Sequence, residues 1–183
     1  MLIALHRWIS RSRIARDQRG VSAVEFALLA PVMIGLYLGC VEISEGVAAD
    51  RKVSLVSAAL ANLTAQVSTI SASDMTNILD ASSAIIQPYS ASLLKLTVTC
   101  LKIDANKNVT VKWSVTRNGT ANTGSMTMPS ALAVANSYLI LSQASYAYTP
   151  TVGYTITGTL TLSDQMYMSP RITAPTYGST TCT

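Results

Sequence analysis

Histidine is nearly missing from this chain: His6 is the only one in 183 residues, and it lies among the first 20. General acid–base chemistry and zinc or iron ligation lean on imidazole, so the rest of the chain has lost the commonest base and metal ligand. Charge is scarce as well. Charged residues make up 12% of the sequence, with only nine acids. The sequence contains no Gly-x-Ser-x-Gly elbow, no glycine-rich phosphate loop, no His-Glu-x-x-His and no paired-cysteine zinc pattern. Neither catalysis, nor a metal, nor another cofactor is expected. The sparse acids Asp74, Asp80, Asp104 and Asp164 suit caps and turns instead. Although the pI is 9.1, the basic excess is confined to one place. Arg7, Arg11, Arg13, Arg16 and Arg19 face only Asp17 in residues 1–20, and the remainder is neutral. That distribution argues against a nucleic-acid surface.

What the chain does have is one long apolar run. Val21–Val41 contains a single charge, Glu25. As a helix it would span about 30 Å, the thickness of a bilayer's hydrocarbon core. The arginine cluster just before it is the positive-inside signal, placing residues 1–20 in the cytoplasm and those after about 45 across the membrane. An acid near one end of such a helix is costly and is read as functional, with a partner to be named. The competing reading is an acid that reaches out to the interface. Pro31 predicts a kink or loosened turn around 27–31. Gly35 and Gly39 would permit close packing of helices.

The string Arg19-Gly20-Val21-Ser22-Ala23-Val24-Glu25-Phe26-Ala27-Leu28-Leu29-Ala30-Pro31 resembles the processing region of type IV pilins. More narrowly, it is similar to the TadE-like pseudopilins of tight-adherence (Tad) pili, as is the pair Gly39 and Glu42. The stretch Tyr138–Pro150, with Tyr146-Ala147-Tyr148-Thr149-Pro150, and Tyr167-Met168-Ser169-Pro170-Arg171 resemble that family's later patterns. The resemblance implies a leader over 1–20, cut between Gly20 and Val21 by a prepilin peptidase. It implies assembly roles for Glu25 and Phe26, with other pilins or pseudopilins, an assembly platform and its ATPase as partners. The location implied is the bacterial inner membrane, single-pass, with the domain in the periplasm and in or on the pilus. A domain of this size departs from the short major pilin and points to a minor, priming or tip subunit.

Three cysteines remain to be placed. Two beyond the membrane, in an oxidising compartment, read as a disulfide, Cys100 with Cys182, leaving Cys40 within the apolar helix. Two other processing routes exist. Tyr37-Leu38-Gly39-Cys40 is a loose lipobox that would make an envelope lipoprotein, against which stand the tyrosine and the acid inside the segment. Val47-Ala48-Ala49 satisfies the small-residue rule for ordinary signal peptidase and would release a secreted binding module, against which stand Glu25 and two later acids.

The expected architecture is α+β: transmembrane residues 21–42 followed by an extracytoplasmic domain over 43–183. The long helix continues beyond the membrane as an amphipathic one, with Val53, Val56, Leu60, Leu63, Val67 and Ile70 on the apolar face. Ser54, Ser57, Ala58, Ala61, Thr64 and Ser68 fall opposite. Glu42 and Glu45 are expected to be solvated or paired with Arg51 or Lys52. A second helix is expected over Asp74–Gln87, stopped by Pro88. Leu94, Leu96, Val98 and Cys100 share one strand face, and Val109, Val111, Trp113 and Val115 alternate on the return strand after a loop at 104–108. Asn118-Gly119 marks a turn, a short helix is expected after Pro129, and strands follow at Ser137–Thr149 and Thr155–Met168. An antiparallel sheet of about four strands, covered by the long helix, completes the reading. Tyr146, Tyr148, Tyr154 and Tyr167 are assigned to strand packing.

Overall fold

The structure, a computed structural model, describes residues 19–151 and 158–183. Nearly all of the expected leader, Tyr154 and the start of the expected last strand lie outside the described residues. Helix α1, Arg19–Ala65, runs unbroken through Pro31. The chain divides into two compact units at Ile43/Ser44, described separately.

In the unit 44–183, the second part of α1 precedes β1 (Thr69–Ile70), α2 (Ala72–Ala84), β2 (Leu94–Ile103), β3 (Val109–Arg117), β4 (Ser137–Tyr148), β5 (Leu160–Met168), β6 (Thr176–Tyr177) and β7 (Thr180–Thr181). The main sheet is antiparallel, in the order β3-β2-β4-β5. A small second sheet, not anticipated from the sequence, pairs β1 in parallel with β6, which turns back into β7 through Gly178 at φ 59°.

Ala49, Val53, Val56 and Leu60 recur at spacings of four and three, so they form one stripe of α1, and all four are fully buried. They pack with Leu94, Leu96, Val98, Cys100, Trp113, Ile140, Ala144 and Tyr146 from the inner face of the sheet. Burying each Val or Leu contributes about 1.5–3 kcal/mol. The stripe is wider than expected. Ser57, Ala61 and Thr64, expected on the polar face, are buried too, because a core-facing helix hides about three positions in seven. Their small size permits close approach to the sheet, and their hydroxyls are satisfied locally. Thr64 donates to the Leu60 carbonyl (2.8 Å), and Ser57 to the Ser54 carbonyl (3.0 Å) and to Asp164 (3.3 Å). Asp164, expected at a cap or turn, therefore lies within β5 and faces the helix.

The helix also ends earlier than the apolar spacing suggested. Arg171 stops it: its backbone N–H donates to the Ala65 carbonyl (2.9 Å) and its guanidinium to Asn62 (2.6 Å). Ile70 is buried, but from β1, and Val67 is 37% exposed. Helix α2 begins at Ala72 rather than Asp74. Ser71 is its N-cap, and Asp74 closes a capping box with it from the third position. It stops at Ala84, three residues short of Gln87, where Lys52 reaches across to the carbonyls of Ile85 (3.3 Å) and Gln87 (2.6 Å). Lys52 thus binds carbonyls just past the end of α2 rather than pairing with Glu45. Asp80, also expected at a cap or turn, instead pairs from within α2 with Arg117 of β3 at 2.6 Å.

The β2–β3 hairpin departs most from simple alternation. Cys100 faces Trp113 while Leu101 faces Val111, so Lys112 is an extra residue in β3. Such a bulge reverses the facing of everything beyond it. Trp113 and Val115 join the inner core, whereas Val109 and Val111 join a second cluster on the other face with Leu101, Ile103 and Leu141. Met126 and Met128, just before a 3₁₀ turn at Ser130–Leu132, cover that cluster. Elsewhere the outer face is polar: Thr97 meets Thr116 (3.0 Å), Thr99 meets Ser114 (2.9 Å), and Asn122 donates to Thr99 and Gln143. Gly119 belongs there because a Cβ would stand 2.8 Å from the Thr116 hydroxyl.

Cys100 and Cys182 form a disulfide with Cα atoms 6.0 Å apart. Trp113 Nε1 donates to the Pro175 carbonyl (3.0 Å), and its ring stands 5.8 Å from that of Tyr177. The segment after β5 is thereby held to β2 and β3. Cys182→Ser in the detergent-solubilised protein is expected to lower unfolding stability by roughly 4 kcal/mol, because the bridge closes a long loop. Urea titration followed by tryptophan fluorescence checks this.

The 104–108 turn carries an acid-sensitive contribution. Asp104 accepts from the Asn108 backbone N–H (2.7 Å) and side-chain amide (2.9 Å), while Lys107 takes φ 64°. The Asn108 side chain, then its backbone, holds the Asp104 carboxyl below its ordinary 3.8. A depressed carboxyl stabilises above its unfolded pKa and loses that contribution as pH falls through the folded value. Asp104→Ala should therefore flatten the acid limb of stability against pH below about pH 4. Thermal melts of both proteins across that range provide the measurement.

Candidate functional site

Residues 20–43 form the first part of α1, rich in Leu, Val and Ala. Pro31 removes the N–H that would bond the Ala27 carbonyl, a loss of about 3 kcal/mol in an ordinary helix interior. The helix continues nonetheless. Here the surface pattern is the reverse of that in the domain. Val21, Val24, Phe26, Leu28, Leu29, Val32, Met33, Ile34, Leu36, Tyr37, Leu38, Val41 and Ile43 are all exposed. A soluble monomer rarely exposes more than a few hundred Å² of contiguous apolar surface, and this run covers the helix on every side. Gly35 and Gly39 look into open space, since a Cβ at either meets nothing within 4 Å.

Gly20 and Val21 lie at the start of this run, in the first turns of α1, and are exposed. Glu25 follows Val21 by four positions, which sets the two on one helix face. Among the described residues Glu25 has no hydrogen-bond or ion-pair partner. Phe26, next to it, is 68% exposed. These four residues are thus brought together by chain adjacency alone. Cys40 lies in the same run, outside the disulfide. Ala49 lies beyond it, fully buried in the core.

The rest of the described chain offers little reactive chemistry. No group of three or more His, Cys, Asp or Glu able to hold a metal occurs among the described residues. A groove of about 470 Å³ on the outer face of the sheet is lined by Lys95, Thr97, Thr120, Gln143, Ser163 and Gln165 among others. None of these side chains is a histidine or cysteine that would pair into an activated nucleophile. The tyrosines divide by face: Tyr146 and Tyr148 pack in the inner core, and Tyr167 against the outer cluster. Burial pushes the Tyr146 and Tyr167 hydroxyls above their ordinary pKa.

Together these features define a class: an α+β domain preceded by a helix that, by length and composition, can cross a membrane. Residues 20–61 match the sequence model of the TadE-like protein family. The matched stretch takes in both the exposed apolar run and the buried stripe as far as Ala61. No curated protein and no solved structure matches the chain. The apolar run and its single acid, Glu25, are readable from the sequence directly. The buried small residues Ser57, Ala61 and Thr64 are not, since their only signal is their position beside Val53, Val56 and Leu60.

Proposed function

We propose that this protein is a minor pilin or pseudopilin of a Tad-type pilus, without enzymatic activity of its own. The observation that carries the reading is the exposed apolar helix, with Glu25 its only charge before Glu42, inside a stretch matched by the TadE-like family. In this reading residues 1–20 are a cytoplasmic leader removed after Gly20 by a prepilin peptidase. Residues 21–42 hold the subunit in the bacterial inner membrane, and 43–183 fold in the periplasm. Other pilins, the assembly platform and its ATPase are the partners, and the outcome is a pilus used for surface adherence.

The competing cut after Ala49 is disfavoured on packing grounds. It would fall within α1 and remove the fully buried Ala49 together with the Tyr89 contact to the Glu45 carbonyl. A lipidated start at Cys40 would leave the 44–183 unit intact but would discard the run around Glu25, roughly half of the matched 20–61 stretch.

Two variants test the proposal. Gly20→Leu is expected to accumulate as full-length membrane precursor, because a peptidase at the cytoplasmic face needs a small residue where the backbone enters its site. Immunoblotting and N-terminal sequencing decide it, and normal processing would remove the main support for the pilin reading.

The second variant is Glu25→Ala. Cutting after Gly20 creates an α-amine on Val21, and a carboxylate at the depth of Glu25 costs a few kcal/mol unless it meets such a cation. The amine of a neighbouring subunit is the proposed partner; the amine of the same chain is the alternative. Glu25→Ala should be processed and should keep the Cys100–Cys182 disulfide, while pilus assembly and association with pilin partners fail. Normal piliation and adherence would show Glu25 to be an interfacial acid only.

A further inference from the structure

At one end of the 44–183 unit, apolar and aromatic side chains gather around the residues by which α1 enters it. Glu45 and Gly46 follow Ile43 by two and three positions. Tyr89 Oη donates to the Glu45 carbonyl at 3.1 Å, and a Cβ on Gly46 would lie 3.6 Å from the Tyr148 ring. The Tyr89 ring stands 6.1 Å from that of Tyr146 and 6.3 Å from that of Tyr148. Strand register brings further residues to this end. Leu94 faces Tyr146, and Leu160 faces Tyr148, so β2 starts, β4 finishes and β5 starts here. On its surface Leu93 is 46% exposed, Leu160 43% and Val47 48%.

Apolar exposure alone does not single this end out. Val134 is 61% exposed close to Ser137, which pairs with Ile103 at the far end of β2. Chain continuity does. Val47 is only four residues after Ile43, about 6 Å along a helix. Tyrosine, with an apolar ring and a polar tip, suits the layer between hydrocarbon and water.

We propose that this end of the domain rests in the headgroup layer of the bilayer that holds residues 21–42, with Val47, Leu93 and Leu160 entering the upper acyl region and Tyr89 at headgroup level. The proposal rests on the membrane reading above and adds a second point of contact, which holds the domain in one orientation on the membrane. Extracting the subunit then breaks a lipid contact of the domain as well as that of the helix.

The test uses the full chain with Cys40→Ser and the native disulfide kept, reconstituted in nanodiscs of phosphatidylethanolamine and phosphatidylglycerol. Nitroxide labels are placed in turn at Leu93→Cys, Leu160→Cys, Val134→Cys and Leu29→Cys, and their accessibility to oxygen and to a water-soluble nickel complex is measured. Non-reducing gels confirm that the Cys100–Cys182 bridge persists in each. The expected result is an oxygen-to-nickel ratio raised toward the lipid value at 93 and 160, still higher at 29, and purely aqueous at 134. Aqueous ratios at 93 and 160 with a lipid ratio at 29 would overturn the proposal while leaving the membrane anchor standing. An aqueous ratio at 29 would overturn the anchor and the proposal with it.

Discussion

The stripe of Ala49, Val53, Val56 and Leu60 has to be covered, and the inner face of the β3-β2-β4-β5 sheet covers it. The organisation of the domain follows from that burial. A stripe three positions wide in every seven leaves room only for small side chains at its margins, hence Ser57, Ala61 and Thr64. Each margin hydroxyl must then be satisfied without water, and Leu60, Ser54 and Asp164 supply the acceptors. The helix is held in place from both ends of its buried part. Lys52 takes the carbonyls beyond α2, and Arg171 takes the last carbonyl of α1.

The sheet meets a second demand through one extra residue. By inserting Lys112 opposite the Cys100–Leu101 step, β3 changes which side its odd-numbered residues face. Trp113 then turns toward the inner core, where it meets Pro175 and Tyr177, while Val109 and Val111 turn outward beneath Met126 and Met128. One strand thereby serves two hydrophobic clusters on opposite faces. Not every polar group in this arrangement is satisfied. Ser142 Oγ, fully buried on β4, has no hydrogen-bond partner among the described residues.

The same helix carries a different surface over 21–43, apolar on all sides and exposed. Water is a poor solvent for it, whereas lipid, or a bundle of like helices, is a good one. On the proposed reading this division is the functional one: the exposed part is exchanged between membrane and pilus while the buried part keeps the domain folded. The family match across 20–61 spans both regimes, so the two surfaces come as one element. On the same proposed reading, a lone carboxylate in such a run has little water to solvate it, and its partner is a question of assembly.

Local chemistry was legible in the sequence wherever neighbours along the chain decide the outcome. The apolar run and its one acid are of this kind, as are the cap that Asp74 supplies to α2 and the tight turn closed by Asp104 and Asn108. So is the inward face Leu94, Leu96, Val98 and Cys100. The helix end at Ala65, the transfer of Ile70 to a strand, the bulge at Lys112 and the β1-β6-β7 sheet were not legible there. Each depends on a residue far away in sequence, such as Arg171 for the helix end or Thr176 and Tyr177 for β1. Spacing along the chain determines which faces an element has. Only packing decides which of those faces is covered and where the element stops, because burial and carbonyl satisfaction are set by groups that meet across the fold.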